Sequence, residues 1–170
     1  MNRTRSLQLT ARPVLEQLEL RRMLSGLITL ASFDGTDGAL AAGGVIRDAA
    51  GNLFGITSQG GPSDAGTVFE LAAGSGTITT LASFNGANGQ DPNVGLIEDA
   101  SGNLFGVAAG GGIASNDGTV FEVAAGSHAI TTLALFSGTN GANPNGTLIE
   151  DGSGNLFGTT EEGGASNDGT

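Results

Sequence analysis

The residues best equipped for chemistry in this sequence are its carboxylates, and they recur at regular intervals. Asp48, Asp99 and Asp151 stand 51 and 52 residues apart, each opening a segment of the form Asp-x-x-Gly-Asn. In Asp99-Ala100-Ser101-Gly102-Asn103, oxygen-bearing side chains occupy the first, third and fifth places, as at the start of a calcium loop. An EF-hand loop also needs glycine sixth and an acid twelfth, and Leu104 and Gly110 stand there instead. The competing role is structural: an Asp at a turn start accepts a hydrogen bond from the backbone two residues on. That role fits all three positions. Calcium is therefore only a weak candidate ligand of Asp48, Asp99 and Asp151, and no cofactor is expected.

A second set lies further along. Asp64, Asp117 and Asp168 precede Gly-Thr in a long loop, with Glu161 and Glu162 near the last of them. Paired carboxylates perform general acid and base work in glycosidases. Here the Glu pair occurs once, since Gln59 and Gly110 stand where Glu162 does, and a solvated loop explains it. Glu70 and Glu122, inside Val-Phe-Glu, suit a repeated structural task such as holding backbone or loop donors. His128 is the only histidine, and with no Cys in the chain it supports neither a zinc site nor a nucleophile–base pair. Gly110-Gly111-Gly112 precedes no helix, so a phosphate would find no helix dipole there. Asn145-Gly146-Thr147 matches a glycosylation sequon at one place only and is read as a turn.

The elements that must position these residues follow from an internal repeat. Gly51-Asn52-Leu53-Phe54-Gly55 recurs at 102–106 and 154–158, and Gly66-Thr67-Val68-Phe69-Glu70 recurs at 118–122. Leu30-Ala31-Ser32-Phe33 recurs at 81–84 and, with Ser replaced by Leu, at 133–136. Within one unit four strands are expected: 95–98, 104–108, 119–123 and 129–136. Each is a short β-branched or aromatic run bounded by Gly, Asn, Asp or Ser. The turns Asp99–Asn103 and Ala125–His128 should join the first pair and the last pair. Phe54, Phe105, Phe157, Phe69 and Phe121 recur by unit and read as core. Four antiparallel strands per unit of about 50 residues make the blade of a β-propeller, with a β-solenoid as the alternative. The block Leu27–Phe33 is expected as a fourth strand ahead of the first full unit, and the last unit stops at Thr170. A ring needs about four to eight blades, so this looks like a stretch of a longer protein.

Charge narrows the partners. Residues 1–26 hold five of the six cations, whereas residues 27–170 carry fifteen acids against Arg47 alone, about −14. A body so acidic is unsuited to phosphate backbones and to anionic lipid, which excludes nucleic acid as a partner. No apolar run reaches the ~20 residues that span a bilayer, and no transmembrane segment is expected.

Residues 1–25 stand outside the repeat and read as an export or targeting segment; residues 26–170 are the tandem β-repeats. Cleavage near Ser25 or Gly26 would spare the first strand block. Leu15-Glu16-Gln17-Leu18-Glu19-Leu20-Arg21-Arg22-Met23-Leu24-Ser25 resembles the Leu-Glu-x-Leu-Glu-x-Arg-x-Leu-Leu-Ser motif near the N-termini of planctomycete exported proteins, with Met23 in place of the first Leu of the pair. The Gly-Asn-Leu-Phe-Gly-x-Thr block, Gly-Gly loop and Gly-Thr-Val-Phe-Glu block resemble the GloVer tandem repeat of choice-of-anchor bacterial surface proteins. That resemblance implies a secreted or cell-surface protein, brings no catalytic residues, and places any anchor beyond Thr170. The function expected is a non-catalytic repeat scaffold, not an enzyme, that binds a surface carbohydrate or protein through its loops. The alternative is a propeller enzyme acting on polysaccharide.

Overall fold

The computed structural model describes residues 27–113 and 115–170; the expected export segment, 1–25, lies outside them. Residues 31–170 form one compact body. Its described residues contain strands and turns and no helix.

Two complete sheets carry the body. The first comprises β1 (Ala39–Arg47), β2 (Leu53–Gln59), β3 (Thr67–Leu71) and β4 (Ile78–Ser83); the second comprises β5 (Ile97–Glu98), β6 (Leu104–Ala108), β7 (Thr119–Val123) and β8 (Ile130–Leu135). Each is an antiparallel meander with strands in sequence order. The third unit contributes β9 (Ala142–Pro144), β10 (Ile149–Glu150), β11 (Leu156–Phe157) and β12 (Thr160–Glu162), paired as β9 with β12 and β10 with β11. All these ladders are antiparallel, which is the expected four-stranded blade and not the parallel coil of the solenoid alternative.

The first strand is continuous in unit one and broken in the other two. Ala41 pairs with Thr57 inside β1, whereas the corresponding residues are Pro92 and Pro144. Proline cannot donate to a ladder. Unit two is left with a single Gln90–Gly110 bridge before β5, and unit three has separate β9 and β10.

One expectation fails. Leu27–Phe33 carries no strand pairing. Its counterparts β4 and β8 are strands because they lie against β3 and β7, and the sequence holds no Gly-Thr-Val-Phe-Glu block ahead of residue 27 that could serve as partner. Phe33 still does what its counterpart does: it meets Phe69 edge-on at 4.9 Å, as Phe84 meets Phe121 at 4.9 Å.

The sheets stack face to face. Cross-strand pairs Phe54/Glu70 and Ile56/Val68 occupy one face of sheet one, and Leu104/Val123 and Gly106/Phe121 occupy one face of sheet two. Ile56, Val68, Ala82, Phe84, Leu96, Leu104, Phe121 and Val123 form one buried cluster between them. On the opposite face of sheet two, Phe105 and Val107 pack with Leu148 and Leu156 of unit three. Each junction is thus made by the same two kinds of face. Burying a Leu, Ile or Phe side chain contributes about 1.5–3 kcal/mol, so a handful per junction is the main cohesive force.

The repeat signature itself has a packing cause. Gly55 is opposite Phe69 and Gly106 opposite Phe121. A Cβ on either glycine would lie 2.6 Å from the ring's Cζ. The bare glycine lets the phenylalanine fold across its own sheet, so Asn-Leu-Phe-Gly and Val-Phe-Glu are two halves of one contact.

Candidate functional site

The three turn aspartates have been put to structural use. Asp99 Oδ1 accepts from the Ser101 and Asn103 amides at 2.8 Å each, and Oδ2 accepts from Asn103 Nδ2 at 2.8 Å. Asp151 repeats this with Ser153 and Asn155, and Asp48 with Asn52. The asparagine then reaches sideways: Asn52 Oδ1 accepts from the Ala73 amide at 3.0 Å and Asn103 Oδ1 from the Ala125 amide at 2.9 Å. The Asp48–Asn52 and Asp99–Asn103 pairs therefore tie the hairpin between strands one and two to the hairpin between strands three and four. Each aspartate stands in its own unit, and among the described residues no three of His, Cys, Asp and Glu converge on a common point.

These bonds hold the carboxylates in their ionised form. At Asp48 and Asp99 burial pulls the pKa upward, but the Asn amide, the Asn side chain and further turn amides together outweigh it, and the pKa lies below 3.8. At Asp151 the Asn155 side chain leads the same downward shift. A folded-state pKa below the unfolded one stabilises the fold above about pH 4, and this contribution is lost as pH falls through the lower value. Thermal unfolding should therefore show a Tm that is level above about pH 5 and drops below pH 4, with a smaller acid drop in Asp99→Asn than in the wild type. Calcium should raise Tm no more than magnesium does; a saturable, calcium-selective rise would show that these turns hold the ion.

The other candidates separate. Asp64 does not share a position with Asp117 and Asp168. It corresponds to Asn116 and Asn167, all three at positive φ of 51°, 61° and 62°. Asp64 Oδ1 accepts from the Gly60 amide and Asn116 Oδ1 from the Gly111 amide, both at 2.8 Å. The signal was present in the sequence, since Asp64-Ala65-Gly66 aligns with Asn116-Asp117-Gly118. Glu161 and Glu162 are neighbours in β12, and adjacent strand residues point to opposite faces. Glu161 accepts from Asn143 Nδ2 at 2.8 Å, while Glu162 lines a groove with Asp91 and Asp117. They are not a glycosidase pair.

Glu70 and Glu122 hold no backbone or loop donor among the described residues, contrary to the expectation. Glu70 lines a cavity of about 200 Å³ between the first two sheets, beside Phe54, Leu81, Leu104 and His128. His128 sits in the β7–β8 turn at φ 54°, where unit one has Gly76 at φ 67°. The Gly110–Gly112 amides are already engaged, by Gln90 O, Asn116 Oδ1 and Gly86 O, so no phosphate cradle exists. Asn145–Thr147 is a loop between β9 and β10. Phe69, Phe105 and Phe121 are buried and Phe54 is partly so, but Phe157 is exposed.

Sequence reasoning missed a pair of polar grooves. One, of about 250 Å³, lies between Asp64, Gln59 and Ser58 of unit one and Gln90 and Asp91 of unit two. The other, of about 310 Å³, lies between Asp117, Asn116 and Gly110 of unit two and Asn143 and Glu162 of unit three. Both lie where strand two ends, opposite the clamped Asp turns. Their signal is that Ala39-Leu40, Gln90-Asp91 and Ala142-Asn143 are equivalent yet chemically unlike, while their second residues share φ of 51–53°.

Antiparallel four-stranded units, repeated in tandem and welded through like faces, with their recurrent polar groups spent on their own turns, define a tandem β-repeat protein. The Gloeobacter/Verrucomicrobia repeat model matches residues 19–170, and the chain belongs to this family. Among curated proteins none matches it. No helix among the described residues is long and apolar enough to cross a membrane.

Proposed function

We propose that this chain is a non-catalytic scaffold of a bacterial secreted or cell-surface protein, its units stacked as blades of a β-propeller. In this reading the grooves at the strand-two ends are the ligand surface. The observation that carries it is a division of labour. The repeated carboxylates Asp48, Asp99 and Asp151 are consumed by their own turns, whereas the residues that vary between units, Gln90, Asp91, Asn143 and Glu162, gather in the grooves. Amide and carboxylate groups in a shallow polar groove suit the hydroxyls of a carbohydrate or the polar edge of a protein. The resemblance of residues 15–25 to an export motif and of the repeat to surface proteins supports that location, and the acidic body argues against nucleic acid.

The test is incubation of the chain with a panel of bacterial and plant polysaccharides. Retention on one or more matrices, weakened in Asp91→Ala and Glu162→Ala and without release of reducing ends, is the expected result. Release of reducing ends that disappears in Glu162→Gln would overturn the non-catalytic reading in favour of a polysaccharide-cleaving enzyme. Cell fractionation with an antibody to residues 31–170 checks the location, and a purely cytoplasmic signal would count against it.

A further inference from the structure

One peptide bond between the first two units unites several features that weaken a backbone amide. The four prolines follow Arg12, Gly61, Asp91 and Asn143, so Asp91–Pro92 is the single Asp–Pro bond of the chain. An aspartyl carboxyl can close a five-membered ring onto its own backbone carbonyl carbon. Proline makes that carbonyl part of a tertiary amide, whose nitrogen leaves as a secondary amine.

The fold adds to what the dipeptide supplies. Asp91 has φ of 51°, a left-handed conformation that strains a residue with a side chain. Both of its backbone groups are pinned there. Its amide donates to Ala65 O of unit one at 3.2 Å, and its carbonyl accepts from the Ala109 amide of unit two at 3.2 Å. Beyond the bond, the Pro92 ring is fully buried against Gly66, where an added Cβ would lie 2.9 Å from Pro92 Cδ. The Ala109 N–H therefore already bonds the oxygen on which negative charge gathers when the carbonyl carbon is attacked, as an oxyanion donor does.

The attacking group is uncommitted. Asp48, Asp99 and Asp151 have their carboxylates bonded to turn amides, whereas among the described residues the exposed Asp91 side chain accepts no hydrogen bond. The charged groups that share its two grooves are Asp64 on one side and Asp117 and Glu162 on the other, all acids, with no cation to pair with it. Unit three provides an internal comparison. Asn143–Pro144 repeats the conformation at φ 52°, but an amide replaces the acid there and Glu161 holds its Nδ2 at 2.8 Å.

We propose that Asp91–Pro92 is a self-cleaving bond that divides the chain between its first and second units. An Asp91 carboxyl oxygen bonds to the Asp91 backbone carbonyl carbon, and the bond from that carbon to Pro92 N breaks. The acid's proton passes to Pro92 N, and a cyclic anhydride is left at Asp91. Water opens the anhydride, which restores the side chain and gives Asp91 a C-terminal carboxyl group. One water is consumed, and no oxidant or reductant is needed. The two pieces, 1–91 and 92–170, stay together, because Phe84 of the first rests on Phe121 of the second inside the shared cluster. The inference uses the carboxyl of Asp91 alone and does not depend on what the grooves bind.

The test is incubation of the purified whole chain for days at about pH 5, where the fold keeps its stability, followed by mass spectrometry under denaturing conditions. The expected products end at Asp91 and begin at Pro92. They should form at least about tenfold faster from the folded chain than from the same chain in urea at the same pH. Asp91→Asn brings in the residue type that unit three already holds at this position. It should keep the wild-type circular dichroism and slow cleavage more than about tenfold. A cleaved sample should elute as one species from native size exclusion and as two pieces in urea. Cleavage no faster in the folded chain than in urea would overturn the proposal. So would a folded chain that stays intact, or scission that Asp91→Asn leaves unchanged. Pieces that part under native conditions would overturn the claim that the junction holds them.

Discussion

Replacing Phe121 with alanine should lower the unfolding free energy by about 3–5 kcal/mol, the scale for truncating a buried phenylalanine in a core that cannot collapse around the gap. The ring is fully buried, lies edge-on to Phe84, and covers Gly106, whose missing side chain makes its pocket. Removing it empties the space between two sheets whose backbones are fixed by their ladders, so little relaxation is available. Urea unfolding followed by circular dichroism measures this as a fall in midpoint at constant slope. A loss below about 1 kcal/mol would mean that the junction repacks freely.

Gly118→Ala is the second large effect. The residue has φ +102°, and an added Cβ would lie 2.6 Å from Ala108 O and 2.6 Å from Pro144 Cδ. Neither neighbour is a flexible side-chain tip: one is a strand carbonyl and the other a proline ring at the start of the next unit. The backbone conformation alone costs a non-glycine residue about 1–3 kcal/mol, and overpacking adds about 1–3 kcal/mol more. Gly118 O also accepts the Phe136 amide, so displacement would carry through to the end of β8. Gly126→Ala is the control. Its φ is +76°, nothing lies within 4 Å of its would-be Cβ, and only the conformational part should appear. Equal losses in the two variants would mean that the close approach to Pro144 has no energetic weight.

Most of the fold was legible because each repeat supplies its own punctuation. Asp99, Gly102 and Asn103 announce a turn in any context, and the short β-branched or aromatic runs on either side mark the strands. The aspartates were legible as turn acceptors for the same reason: the donors lie within four residues. What escaped the sequence depends on partners distant along the chain. Leu27–Phe33 looks like β4 and β8, but a strand exists only where another strand accepts its hydrogen bonds. Phe157 matches Phe105 in type and spacing, yet its burial is decided by what lies over it. The grooves were invisible because Gln90 and Asp91 become neighbours of Asp64 only when two units stack, and no spacing within one unit encodes that. Glu70 and Glu122 were expected to hold backbone or loop donors because they recur, but a mid-strand carboxylate has its backbone neighbours already paired in the ladder.

Every unit also lends material to its successor. Phe84, which follows β4, rests on Phe121 of the following unit, and Phe33 stands on Phe69 in the same way without belonging to a strand. The loop after each holds the next unit's threonine: Thr67 Oγ1 donates to Asp37 O at 3.0 Å and Thr119 Oγ1 to Asn88 O at 3.3 Å. A duplication of one full period, begun at any phase of the repeat, therefore brings one whole junction with it and leaves no ring or hydroxyl without its place. Such a chain can lengthen or shorten by recombination between its own repeats without first being redesigned, and a deletion of any other length breaks a junction at once.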